Sequence, residues 1–497
     1  MGTRWSGLLS AFLAVLFLSA CASNARLADV QPPEGAKAVF AVGYNAIAAK
    51  YIEPKTARAL AIEGLEGLSD ADPTLAIEER GGLLWLVQNG RLLRVGVTPR
   101  PQNLDAWATL SADFLAVSLA NRSPKAKADA AAFTTAMFKR VMESLDSHSR
   151  YTNGKTSIRR RENRRGYIGV GLHVQQFEDS FIVTKVLSKS PAENAGIQVS
   201  DKILEIGGTP AAAVKLEDFP NRLRGPIHSR LSLVLKRRGV AKPIKTILHR
   251  QKLFTATVHY ERRKTIAYFR LSSFNRNTAR SLARHLLWIE GQPDAPLGIA
   301  LDLRNNPGGL MDQAIAVADL FLKSGRIVST HGRHPNSSQT YNAVASDVGT
   351  ALPIVILLNG KSASSAEIVA AALHDQGRAL VVGSRSYGKG SVQTILPLPN
   401  GAEITLTWSR LYTPKGNALA TGVEPDVCTV GLSKIDAKPQ AMFASLEKTR
   451  KPGSCPAIEA KNALDFPLAE ELLKNAGLYA NLSKTPPEEI AHKEALD

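Results

Sequence analysis

The chain predicts a multidomain α/β protein, and three observations carry that prediction. Helical periodicity dominates from Val39 to about Met142, a glycine-punctuated β-rich stretch runs from Gly166 to about Arg250, and strands alternate with helices beyond Tyr268. A length of 497 residues allows about three domains at roughly 150 residues each. Apolar residues at 44% and charged ones at 21% exclude a disordered, collagenous or multi-span membrane chain. The formal net charge of +18 asks for an anionic neighbour, either a nucleic acid or a membrane or envelope surface.

The N-terminus chooses between those neighbours. Arg4 is followed by an apolar run, Leu8 to Leu18, too short to cross a hydrocarbon core that needs about 20 residues. Ser19 and Ala20 then precede Cys21. The tetrad Leu18-Ser19-Ala20-Cys21 resembles the bacterial lipobox, whose cysteine is lipidated and becomes the first residue of the mature protein. The plainer reading is a secretory signal in which Cys21 is incidental. Two or more acyl chains anchor stably at about 0.8 kcal/mol per buried CH₂. Ala22 after the cysteine favours the outer over the inner membrane. An exported, lipid-anchored protein facing the periplasm is not expected to bind nucleic acid. With Cys21 lipidated, Cys428 and Cys455 remain free to pair in an oxidising compartment.

In the mature chain, Leu83 to Val97 interrupts the helical region as a small β excursion, and the charge run RRRENRR (159–165) marks a boundary. The β-rich stretch carries one short helix near Pro191 to Gly196 and a turn at Gly207-Gly208. In the α/β region, Leu297 to Leu303 reads as a buried strand, followed by the NNPGG turn and a helix from Leu310 to Leu322. Ile354 to Leu358 and Ala379 to Gly383 are further strands, which argues for a mostly parallel, covered sheet. The Lys/Arg-rich stretch from Lys236 to Arg270 reads as a solvated β-ribbon face.

Gly166-Tyr167-Ile168-Gly169-Val170-Gly171-Leu172, then Ser190-Pro191-Ala192 to Ile197, then Asp201 to Gly208 occur in an order similar to a PDZ domain of the bacterial protease type. Glycines in such a loop let successive backbone N–H groups converge on a carboxylate, so Ile168, Gly169, Val170 and Gly171 are the candidate peptide-carboxylate site. A tight turn that binds nothing is the plainer reading of any one of these segments.

The chemistry-bearing stretch is Lys361 to Ile368, KSASSAEI, at the junction of a strand and a helix. A serine there meets unpaired amides and the positive end of the helix dipole. Serine needs a base. His374 lies ten residues down the same helix, roughly 15 Å away at 1.5 Å rise per residue. Lys389 in Ser386-Tyr387-Gly388-Lys389-Gly390 serves if burial lowers its pKa, with Gln393 as a partner for the amine. The histidines show no ligand-spaced pair and there is no GxxxxGK[ST] loop, so neither a metal nor ATP or another cofactor is expected.

These residues resemble the carboxyl-terminal processing proteases, a Ser-Lys group of serine endopeptidases. SASSAEI, DQGRALVVG and SYGKGSVQT match in order, with LDSHSRY (145–151), DLRNNPGG (302–309), YTPKG (412–416) and GVEPD (422–426) around them. The resemblance implies a crotonase/Clp-protease-like α/β core bearing an inserted PDZ-like domain. In the family the nucleophile lies 25 positions before the lysine, which gives Ser364 as nucleophile, Lys389 as base and Gln393 as orienter. The implied oxyanion donors are the N–H groups of Ser365 and of Gly308 or Gly309. Glu367, Asp375 and Arg378 match positions that imply an ion-paired helix brace. Where the family commonly reads SASASE this chain reads SASSAE, making Ser365 a rival nucleophile; a one-residue step turns a helical side chain by about 100°, so both cannot face Lys389.

The implied organisation is a signal peptide (1–20), a tether (21–36), a helical N-terminal region (37–160), a PDZ-like domain (161–255), a Ser-Lys protease core (256–432) and a C-terminal extension with no assigned role (433–497). The implied partners are protein or peptide substrates with apolar C-termini; an adaptor or a homo-oligomer is left open. Two rivals use the same fold: an inactive PDZ-bearing peptide- or lipid-binding scaffold, and a crotonase-type acyl transferase.

Overall fold

The structure, a computed structural model, describes residues 30–126, 128–178, 180–344, 348, 352–432 and 455–484. Cys21 and the signal segment lie outside the described residues. The chain divides into two compact units, one of residues up to Asn45 with Lys55–Leu145, the other of Ala46–Pro54 with Asp146 onward. The division falls inside the helix Ala36–Lys50.

In the first unit, helices Ala57–Ala71, Leu104–Ala120 and Ala130–Glu143 accompany an antiparallel sheet of Leu75–Arg80, Leu83–Gln88 and Arg91–Val97. Each of the three helices starts on a polar cap: Thr56, Asn103 and Asp129 accept from the amide three residues on. Aromatic side chains fill the interior, with Phe40 stacked on Phe138 at 5.5 Å.

The second unit contains the helix Gly154–Arg165, so the RRRENRR run is helical. Arg161 and Arg164 both reach the buried Glu403, at 3.0 Å each. The β-rich module is a sheet in the order Ile244–His249, Arg230–Lys236, Lys202–Ile206, Ser180–Val186, Leu172–Phe177. Its alternating inward residues, Phe181, Val183, Ile203, Leu233 and Leu235, form one core with Val170 and Phe219. The expected solvated ribbon of Lys236 to Arg270 fails at its end, where Ile266 to Phe269 are buried, and at Arg250. That side chain is buried and donates to the carbonyls of Arg222, Leu223 and Arg230, so its charge is hydrogen-bonded rather than solvated.

The α/β region is built on a sheet in the order Val258–Arg263, Ile266–Leu271, Gly298–Asp302, Ile354–Leu358, Ala379–Gly383, Val427–Cys428. Its first pair is antiparallel and the rest are parallel. Four of its strands are buried at every position, and alternate residues serve opposite faces. Ile299, Leu301, Ile354, Ile356 and Val381 pack with the helices Thr278–Glu290, Met311–Asp319 and Ser365–Asp375. Ala300, Val355, Leu357, Leu380 and Val382 pack instead with Leu468, Leu472, Leu473, Leu478 and Leu482 from the helices Asp465–Lys474 and Ala476–Lys484.

The stretch 455–484, part of the extension that had no role in the sequence, thus supplies the second face of the sheet. It is fastened by a Cys428–Cys455 disulfide and by Arg304, whose guanidinium bridges Asp302 at 2.7 Å and Asp465 at 2.8 Å. A second sheet runs Gln339–Asn342, Arg326–His331, Glu403–Tyr412, Ser391–Pro397, and Arg150–Thr152 joins it at Glu403–Thr405.

Candidate active site

The site begins where the strand Ile354–Leu358 ends. Ser362 is fully buried and its hydroxyl donates to the Leu303 carbonyl at 2.9 Å, while Ala363 N–H donates to the Asn306 carbonyl. These bonds stitch the serine loop to the NNPGG loop. The Asn306 side chain fixes the NNPGG loop itself, accepting from Gly308 N–H at 2.8 Å and donating to the Leu271 carbonyl.

Ser364 caps the helix Ser365–Asp375 with φ +56° and ψ −114°, a backbone conformation that a residue with a side chain adopts only under constraint. It is partly exposed, whereas Ser365 is 1% exposed and its hydroxyl donates to the Gly309 carbonyl at 3.2 Å. The rival hydroxyl is therefore turned into the protein. Gly308, at φ +93°, is pressed against the serines: a Cβ there would lie 2.9 Å from Ser364 Cβ and 3.0 Å from Ser365 N. Among the described residues, the N–H groups of Gly309 and Ser365 have no acceptor, and that of Gly308 is taken by Asn306. Of the three expected oxyanion donors, Gly309 and Ser365 thus have an N–H without an acceptor among the described residues.

Glu367 is the residue the sequence misread. It forms no ion pair among the described residues; its buried carboxylate is a hydrogen-bond hub. Oε2 accepts from Ser364 N–H at 2.7 Å and from Lys389 N–H at 3.0 Å. Oε1 accepts from the Ser386 hydroxyl at 2.5 Å and from Gly388 N–H at 2.6 Å. One oxygen atom thereby holds the backbone of both Ser364 and Lys389. Burial raises the Glu367 pKa, and the four donors oppose that rise. Asp375 is ion-paired, but with a residue outside the expected set: His374 sits between Asp375 and Asp426 at 3.4 and 3.3 Å. Burial works against the imidazolium, but the two carboxylates outweigh it and raise the His374 pKa to about 10. Arg378 donates to the carbonyls of Phe321 and Leu352.

Lys389 is half-buried in the loop between the strands Ala379–Gly383 and Ser391–Pro397. Gly388, at φ +84°, lets that loop lie against the Ala420 carbonyl, which a Cβ would meet at 2.6 Å. Burial lowers the Lys389 pKa and the like charge of Arg150 lowers it further, with Glu367 and Asp146 acting in the opposite direction. Arg150 belongs to the LDSHSRY segment, fixed because Asp146 accepts from His148 N–H, Ser149 N–H and the Thr407 hydroxyl. Ser364 and Lys389 share the Glu367 anchor, yet no hydrogen bond joins Ser364 Oγ to Lys389 Nζ among the described residues. Gln393 Nε2 donates to Ser391 Oγ at 2.8 Å and not to Lys389.

The peptide-binding candidates separate into two pairs. Ile168 and Gly169 lie in the strand Tyr167–Gly169, paired with Lys252 and Gln251. Val170 and Gly171 line a cleft of about 650 Å³ between the strand Leu172–Phe177 and the short helix Phe219–Leu223.

Comparison with known proteins agrees with this architecture. Residues 265–429 match the model of peptidase family S41 and residues 156–236 that of the PDZ domain. A carboxy-terminal-processing protease of Bartonella bacilliformis is 38% identical over 291 residues, 58% of this chain and 67% of that one. The chain belongs to peptidase family S41, the carboxy-terminal-processing proteases. It is a serine-type peptidase carrying a PDZ domain. A probable CtpA-like serine protease of Staphylococcus haemolyticus is 31% identical over 350 residues, 70% of this chain and 66% of its own length. Among solved structures, the photosystem II D1 C-terminal processing protease is similar at 24% identity and a TM-score of 0.37, over 78% of this chain and 97% of that one.

Proposed function

We propose that this S41 peptidase is an ATP-independent endopeptidase that recognises protein C-termini through its PDZ domain and cleaves by a Ser-Lys mechanism. The observation that carries this reading is the Glu367 carboxylate gathering Ser364 and Lys389 on one oxygen. Ser364 Oγ attacks the scissile carbonyl, and Lys389, neutral before the step, takes the hydroxyl proton. The tetrahedral oxyanion accepts from Gly309 and Ser365 N–H. Lys389 then returns the proton to the leaving amine, and water, deprotonated by the same amine, hydrolyses the acyl-enzyme. Gln393 steadies the Lys389 amine once its amide turns from Ser391; hydrogen bonds of this kind tighten when substrate arrives.

The core of this reading is crotonase/Clp-like, residues 256–432 closed by the helices within 465–484, with 161–255 as the PDZ domain; of the helical region 37–160 before it, the strand Arg150–Thr152 joins the core's second sheet. Cys21 is its lipid anchor, placing the enzyme on the periplasmic side of a bacterial envelope, with the outer membrane favoured. The alternative reading, a catalytically inactive peptide- or lipid-binding scaffold, draws on the Gln393 amide bonded to Ser391.

One assay separates the two. Wild type is expected to cleave an unfolded protein ending in apolar residues, and Ser364→Ala to lose at least about 10³-fold in rate. Ser365→Ala is expected to remain active. Equal cleavage by wild type and Ser364→Ala sinks the protease reading, and loss in Ser365→Ala alone moves the nucleophile by one position.

A pH series tests the base. Because the free amine is the active form, the rate is expected to rise with pH through the lowered pKa of Lys389. Removing the like charge in Arg150→Ala raises that pKa, so the midpoint moves to higher pH. A flat profile from about pH 5 to about pH 9 would contradict a lysine base.

A further inference from the structure

The strand Leu172–Phe177 is the outermost of its sheet, so its free edge can take an extended peptide as an additional strand. With the terminal carboxylate at the Val170–Gly171 loop and antiparallel pairing, the last residue lies opposite Leu172, the penultimate one opposite His173 and the third opposite Val174. Residues directly opposite one another project from the same face. Leu172 and Val174 pack with the module's core, so the last and third residues meet an apolar surface. His173 is exposed and stands in register with Lys185 on the neighbouring strand, which puts both on the other face.

The charges lining the cleft are unbalanced. Arg224 is matched by Glu162 at 2.9 Å and lies over the Tyr167 ring. Lys185 and Arg159 also line the cleft, and neither has an ion-pair partner among the described residues. Burial and the Lys185 charge lower the His173 pKa, leaving a neutral ring able to donate one N–H.

We propose that this cleft selects protein C-termini whose penultimate residue is acidic, between apolar last and third-from-last residues. The carboxylate of that penultimate side chain stands beside the Lys185 ammonium and the His173 ring. The proposal rests on the reading that the Val170–Gly171 loop takes a terminal carboxylate.

The test is fluorescence anisotropy on the full chain carrying Ser364→Ala, so that the peptide is not consumed. Labelled peptides end in Ala-Glu-Ala, Ala-Gln-Ala or Ala-Lys-Ala, and Ala-Glu-Ala is also made with an amidated end. The Glu peptide is expected to bind about fivefold more tightly than the Gln peptide, as suits a half-exposed pair. That advantage shrinks as salt shortens the screening length from about 10 Å at 0.1 M to about 3 Å at 1 M. In Lys185→Glu the order is expected to reverse, with the Lys peptide the tightest. Equal affinity for Glu and Gln peptides, both weakened by amidation, overturns the acidic preference and leaves the carboxylate loop standing. Amidation without effect overturns the carboxylate reading itself, and the proposal falls with it.

Discussion

Glu367→Gln is expected to abolish cleavage and to lower the unfolding free energy by about 3–5 kcal/mol. The wild-type carboxylate accepts from four donors: the N–H groups of Ser364, Gly388 and Lys389 and the hydroxyl of Ser386. A glutamine offers one accepting oxygen and, in place of the other, an NH₂ that faces donors. Two of the four are left buried without an acceptor, and hydrogen bonds to a charged group are worth about 1.5–3 kcal/mol each. The catalytic loss has a separate origin. With Oε2 replaced, nothing holds Ser364 at φ +56° or brings the Lys389 backbone to the same point. Denaturant titration reads the first effect and the cleavage assay the second. Binding of a C-terminal peptide to the PDZ cleft is expected to persist, which distinguishes a displaced active site from a global failure to fold. Cleavage above about a tenth of wild type would show that the carboxylate does not set the Ser-Lys geometry.

How far that geometry could be read beforehand differs from residue to residue. The candidates Ser364 and Lys389 come from motif and spacing, and Gly308 from the DLRNNPGG resemblance alone, since the serines it lies against are more than fifty residues away in the chain. The role of Glu367 could not be read: the resemblance implied an ion-paired brace, whereas its carboxylate caps Ser364 and takes three further donors from a distant loop. Its other partners, Ser386, Gly388 and Lys389, come from a loop across the next strand. Gln393 could be named as a candidate, but the direction of its amide depends on a rotamer that no spacing encodes. Asn306 and Ser362 were missed for a related reason: each joins loops from different strands, and that adjacency exists only once the sheet is formed. The fold shows the same division. Runs such as Ile354–Leu358 announce strands buried on both faces, but not what covers each face. The apolar pattern from Leu468 to Leu478 announces a helix, and periodicity cannot say that it lies on that sheet.

That covering helix pair carries the largest expected loss of stability. A chain ending at residue 432 is expected not to fold. Five leucines, Leu468, Leu472, Leu473, Leu478 and Leu482, are buried against Ala300, Val355, Leu357, Leu380 and Val382. At roughly 2 kcal/mol per buried leucine they contribute about 10 kcal/mol, comparable with the whole stability of a typical domain. Truncation also strips Asp465 from Arg304, leaving a buried guanidinium with Asp302 as its remaining carboxylate. The covalent tether can be separated from the packing. Replacing Cys428 and Cys455 together by serine opens a loop of sequence separation 27 and is expected to cost about 3.5 kcal/mol through chain entropy. The cysteine variant should therefore unfold cooperatively at lower denaturant and keep its activity under native conditions. A soluble truncated chain with a sharp unfolding transition would show that the sheet closes without these helices. A cysteine variant as damaged as the truncation would shift the weight from the leucines to the disulfide.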